Sequence, residues 1–139
     1  MFPYLSRAYF PNLVRPVLIR YAGAIMGKKK NLVVFVTGAN GFIGRHLVRR
    51  ILEETQWRVI ANDLRDDALK AYRDHPHFEF YKGSIFNLAL MKRLVARADV
   101  VLPLAGIATP KTYILDPIKV FEVDFEANLA MVRLCVKAK

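Results

Sequence analysis

The 139-residue sequence has a single cysteine, Cys135, which excludes a disulfide framework and any cysteine-based zinc site. Its three histidines, His46, His75 and His77, leave little for a metal cluster, so no metal site is expected. Nowhere do about 18 uncharged apolar residues run together, so no segment is expected to span a bilayer. Acidic residues are missing from the first thirty positions, which carry Arg7, Arg15, Arg20, Lys28, Lys29 and Lys30. The rest of the chain has sixteen basic and twelve acidic side chains, so the net charge of +10 is mostly N-terminal. What remains reads as a solvated basic surface, not as a nucleic-acid footprint. With 54% hydrophobic and 24% charged residues, the chain is neither disordered nor low-complexity. Its length suits about one domain, large enough to bury roughly two-thirds of its unfolded surface.

Residues 1–30 stand apart as a basic N-terminal extension. Pro3, Pro11 and Pro16 interrupt any long helix, and Met26-Gly27-Lys28-Lys29-Lys30 leads directly into a strand pattern. Three readings fit this segment: sequence upstream of a true start at Met26, an arginine-bearing targeting or membrane-surface arm, or an ordered extension.

From residue 31 the pattern alternates between strand and helix. Leu32–Val36 is a short apolar run suited to a buried parallel strand. Residues 42–54 have helical spacing, with Ile43, Leu47, Val48, Ile51 and Leu52 expected inward. A second strand is expected over 58–62, a short helix over 66–73 and a third strand over 78–81. A helix over 87–98 should bury Leu88, Met91, Leu94 and Val95, and a fourth strand runs from Val100 to Leu104. Asp116-Pro117 marks a helix start, Asp as cap and Pro at the first helical position. That helix should bury Val120, Phe121, Met131, Leu134 and Cys135 along one stripe. Strands alternating with helices imply right-handed βαβ units and a parallel sheet. The expected fold class is α/β: the N-terminal part of a doubly wound parallel sheet, with about four strands.

Thr37-Gly38-Ala39-Asn40-Gly41-Phe42-Ile43-Gly44 falls where the first strand meets the first helix, the context that makes a glycine pattern a phosphate site. Gly38 permits the tight turn, Gly41 lets backbone approach a pyrophosphate, and Gly44 lets the helix pack close to the strand. A side chain at 41 would exclude phosphate, with added strain if that residue sits at positive φ. The helix N-terminus then offers N–H groups and a partial positive charge. Asp63 ends the second strand, where a carboxylate accepts from ribose hydroxyls and repels a 2′-phosphate, favouring NAD over NADP. Arg65 is the counterweight, since an arginine there can hold a 2′-phosphate.

The run T-G-A-N-G-F-I-G resembles the extended short-chain dehydrogenase/reductase family of NAD-dependent epimerases, dehydratases and decarboxylases. The likeness covers residues 31–139, which then read as a partial NAD-binding Rossmann domain. His75–Phe80, Asp99–Leu104, Ile107–Pro110 and Val120–Leu129 look like one branch in particular. That branch comprises the UDP-glucuronate decarboxylase domains of lipid A modification with aminoarabinose. The resemblance implies a cytoplasmic enzyme that oxidises the sugar 4-hydroxyl of UDP-glucuronate with NAD and then releases carbon dioxide from the β-keto acid. UDP-sugar epimerases and dehydratases of the family share this half, as would a non-catalytic NAD-binding module. By the same resemblance Gly38, Asn40, Gly41, Phe42, Ile43 and Gly44 line the pyrophosphate, and Asp63 holds the adenosine ribose. Ser84 and Ile85 lie beside the adenine, Leu104, Ala105 and Gly106 flank the nicotinamide side, and Ala108 and Tyr113 contact the UDP-sugar. The family usually has aspartate where Ser84 stands, and a serine is the weaker acceptor for an adenine amino group. A homo-oligomer is implied for the complete enzyme.

The family's acid/base pair, a tyrosine with a lysine four residues on, does not occur here. The residues four positions after Tyr4, Tyr9, Tyr21, Tyr72, Tyr81 and Tyr113 are Ala8, Leu13, Ile25, Pro76, Ile85 and Pro117. No catalytic residue is therefore assigned, and the chain alone is expected to be inactive.

Overall fold

The computed structural model describes residues 31–138. The three readings of the N-terminal segment fall outside the described residues.

Four strands form one parallel sheet: β1 (Val33–Thr37), β2 (Arg58–Asp63), β3 (Phe78–Lys82) and β4 (Val100–Pro103), in the order β3-β2-β1-β4. β1 is central, with Val34 in register with Val59 on one side and Val100 on the other. Its residues are buried almost without a break because strands covered on both faces have no solvent side. Helix α1 (Phe42–Glu54) connects β1 to β2 and buries Gly44, Val48, Ile51 and Leu52. Helices α2 (Leu88–Val95) and α5 (Ala127–Lys137) form a cluster with the sheet in which Phe35, Ile60, Met91, Leu94 and Met131 are buried. Alternation along β1 places Phe35 on that face and Val34 and Val36 on the other.

Several expected details differ. The short helix expected over 66–73 is present as a 3₁₀ helix over 67–72. Ile43 and Leu88, expected inward, are exposed; each lies in the first turn of its helix. Two short helices, α3 (Pro110–Leu115) and α4 (Pro117–Phe121), follow β4. Neither buries a side chain, so α3 leaves no apolar period to read. The Asp116 carboxylate does cap α4, accepting from Lys119 N at 3.2 Å. Between α4 and α5 lies one π-helical turn, Glu122–Glu126. A π turn holds one extra residue and delays helical rotation by on the order of 100°. The stripe therefore loses its phase: Met131 is buried and Leu134 and Cys135 pack against the core, while Phe121 is exposed. The Asn128 side-chain amide donates to Asp124 O at 2.9 Å and Val123 O at 3.4 Å, satisfying carbonyls of that wide turn.

The edge strand β3 is held by a polar ring. Arg97 donates to both Glu79 oxygens, at 2.6 and 2.8 Å, and to Tyr81 Oη at 2.6 Å. Tyr81 Oη donates in turn to Glu79, and Arg58 adds a fourth cation-side contact at 3.2 Å. The Arg97 hydrogen bonds hold the Glu79 carboxyl below the usual carboxylate range, against an opposing desolvation. A depressed folded-state pKa stabilises the fold above the unfolded carboxylate value and loses that contribution as pH falls through the folded value. Glu79→Gln should therefore lower stability at pH 7 by about 0.5–1 kcal/mol, as befits a partly exposed pair. Urea midpoints should differ between wild type and variant at pH 7 and converge below about pH 4.

Candidate functional site

β1 ends at Thr37, and the chain turns sharply at Gly38, whose φ is +64°. A Cβ at Gly38 would lie 2.6 Å from Ala105 N and 2.7 Å from Leu104 C, so the turn meets the end of β4 backbone to backbone. Gly41 N donates back to Gly38 O at 3.0 Å and closes the turn. Gly41 itself has φ −67° and ψ 174°, a conformation open to any residue, so the strain that positive φ would bring is absent there. Gly44 is buried, and its Cβ would press on Gly38 O and come within 2.8 Å of Ala39 Cα.

Helix α1 starts at this turn with no side-chain cap and no acid in its first turn. By contrast, Asn87 caps α2 by accepting from Leu90 N. An uncapped N-terminus beside a glycine turn leaves N–H groups and the positive end of the helix dipole for an anion. The turn is also fixed to the end of β2. Ala39 N donates to Asn62 O at 3.2 Å, and Asn40 N donates to Asp63 Oδ2 at 2.9 Å. The Asn40 side chain reaches on to accept from Ala68 N at 2.8 Å. Arg65 N donates to Asp63 Oδ1 at 3.3 Å, and the Arg65 guanidinium pairs with Asp67 at 2.6 Å.

A cavity of about 480 Å³ opens over these strand ends. Gly38, Asn40, Gly41, Asp63, Ser84, Ile85, Leu104, Ala105 and Gly106 all line it. Phe42 and Ile43, read as pyrophosphate residues, are 73% and 66% exposed and do not line it, and Gly44 lies beneath the turn. Ala108 and Tyr113 also lie outside the lining; Tyr113 Oη donates to Ile107 O at 2.6 Å and so braces the loop after β4. Asp124, in the π turn, accepts from Ile107 N at 2.8 Å and lies against Gly106. The sequence reading missed Asn62, Leu64, Gly83, Phe86, Ile107, Lys119 and Val123, all of which line the cavity. Lys119 brings a positive charge to this wall. Its approach depends on α4 and the π turn, which carry no buried residue to announce them. His75 and His77 meet edge to face, and no three potential ligand residues gather into a metal cluster among the described residues.

The two glycines of the turn, half-buried Gly38 and exposed Gly41, should respond differently to substitution. Gly38→Ala places a Cβ against Ala105 at positive φ and should cost more than about 2 kcal/mol of stability. At Gly41 an added Cβ meets only Gly38 O, at 3.1 Å, and φ is negative, so Gly41→Val should cost less stability than Gly38→Ala while blocking approach to the helix N-terminus. Thermal melts of both variants, with an anion or dinucleotide titration of Gly41→Val, check the contrast.

Comparison with known proteins identifies the family. The model of the NAD dependent epimerase/dehydratase family matches residues 34–139. PbgP3 from Burkholderia pseudomallei is 46% identical, with 78% of this chain covering 36% of that one at a TM-score of 0.74. WbmF from Bordetella bronchiseptica, solved in complex with NAD+, is 32% identical, with coverages of 81% and 34% and a TM-score of 0.68. UDP-glucuronic acid 4-epimerase from Bacillus cereus, in complex with UDP-glucuronic acid and NAD, shares the fold at 24% identity, 75% and 36% coverage and a TM-score of 0.66. The chain thus spans about a third of the length of these structures. It belongs to the NAD-dependent epimerase/dehydratase family.

Proposed function

We propose that this chain is the NAD-binding part of an enzyme that modifies a UDP-sugar, with UDP-glucuronate as substrate and decarboxylation as the reaction. The observation that carries the cofactor reading is the single cavity joining the Gly38 turn, Asp63, the Gly83–Ile85 loop and the end of β4. A dinucleotide needs these surfaces in this order: a helix N-terminus for pyrophosphate, an acid for ribose, and the two flanking strand ends for the base and the nicotinamide. The residues present fit the group. Gly38 lets the turn pass against the β4 backbone at the cavity wall, and α1 begins beside it without a cap of its own.

Each residue has a physical role in this reading. The N–H groups opening α1 hold the pyrophosphate. Asp63 is oriented by Asn40 N and still has lone pairs for the ribose hydroxyls. Arg65 is engaged by Asp67, which weakens its claim on a 2′-phosphate and favours NAD. Leu104, Ala105 and Gly106 form the wall toward the reacting end, with Ala108 and Tyr113 beyond it on the substrate side. Bound NAD supplies a hydride acceptor. Decarboxylation of UDP-glucuronate rests on the runs from His75 to Leu129 that resemble that branch; epimerisation or dehydration of a related sugar nucleotide uses the same cofactor half.

Calorimetric titration tests the cofactor reading. NAD should bind at least about tenfold more tightly than NADP, about 1.4 kcal/mol. Asp63→Ser should weaken NAD and narrow that gap. Equal affinities in the wild type would mean that Arg65 sets the preference, and absence of binding would overturn the reading.

A further inference from the structure

Asn62 is fully buried, yet its side-chain oxygen Oδ1 has no hydrogen-bond partner among the described residues. Its amide orientation is fixed. Nδ2 donates to Tyr81 O at 2.8 Å and to Gly83 O at 3.0 Å, and the flipped amide would set an oxygen against two carbonyls. A buried acceptor left without a donor costs free energy, so such a group calls for a partner that arrives from elsewhere. Asn62 lines the cavity, beside Asp63 on its own strand and next to the Gly83–Phe86 loop to which it is bonded.

This end of the cavity suits a planar base. Leu64, Ile85 and Phe86 give it apolar walls. The Ser84 hydroxyl is tied to its own turn, accepting from Phe86 N at 3.2 Å. We infer that Asn62 Oδ1 accepts a hydrogen bond from the exocyclic amino group of the cofactor's adenine, and that Asn62, not residue 84, sets the choice of base. The inference rests on the dinucleotide reading above. Adenine offers a donor at its 6-position, whereas hypoxanthine offers an oxygen there, and an oxygen facing Oδ1 is repelled.

The test compares calorimetric binding of NAD and its hypoxanthine analogue to the full chain. The wild type should favour NAD by about tenfold. Asn62→Leu should bring that ratio close to one, and Ser84→Ala should leave it unchanged. Should Asn62→Leu fail to fold, Asn62→Ser serves in its place, since its hydroxyl can still donate to one carbonyl but offers no amide oxygen. A ratio that survives either Asn62 substitution, or that Ser84→Ala abolishes, overturns the inference. A wild type that binds both dinucleotides equally does so too, while leaving the cofactor reading intact. A wild type that binds neither removes both.

Discussion

The close crossing of Gly38 over the end of β4 is the constraint on which the remaining site geometry depends. At φ +64° the chain leaves the central strand and passes within van der Waals contact of Leu104 and Ala105. Any Cβ at that point would separate the turn from β4. The consequences reach in two directions. Toward α1, the turn sets the helix N-terminus at the mouth of the cavity, with Gly44 pressed beneath it. Toward β4, it fixes Leu104, Ala105 and Gly106 as the facing wall.

A second layer of order comes from hydrogen bonds that tie this turn to β2. Asn40 N holds one oxygen of Asp63, and the Asn40 side chain holds Ala68 at the start of the following 3₁₀ helix. The residues expected to meet phosphate and ribose thus form one connected unit. Charges around it are internally matched: Arg65 with Asp67 near the ribose acid, and Arg97 with Glu79 behind the edge strand. The bond from Asn62 to Gly83 O extends the same scaffold to β3, whose outgoing loop closes the far end of the cavity.

The central strand β1 was legible in the sequence because it is covered on both faces and reads as a continuous apolar run ended by a glycine turn, whereas the half-buried edge strand β3 interleaves Glu79 with its apolar residues. Gly38, Gly41 and Gly44 were legible because their spacing coincides with a strand-to-helix junction. The π turn at Glu122–Glu126 was not, since residue types carry no mark of the hydrogen-bond pattern that creates it. Once it is present, Phe121 leaves the stripe that a 3.6-residue period assigns to it. Ile43 and Leu88 show a related limit: periodicity gives the face of a helix but not how far along that face the cover extends. Asn62 escaped notice because its meaning lies in what its two ends touch. One end meets β3, nineteen and twenty-one residues away, and the other meets no protein group among the described residues.

Backbone hydrogen exchange on the chain with and without NAD tests most directly whether the glycine turn is a dinucleotide cradle. If it is, NAD slows exchange at the amides of Phe42, Ile43 and Gly44, which open an uncapped helix, and at the Gly83–Ile85 loop, with little change in α5. Unaltered exchange at Phe42–Gly44 in the presence of saturating NAD would contradict the account.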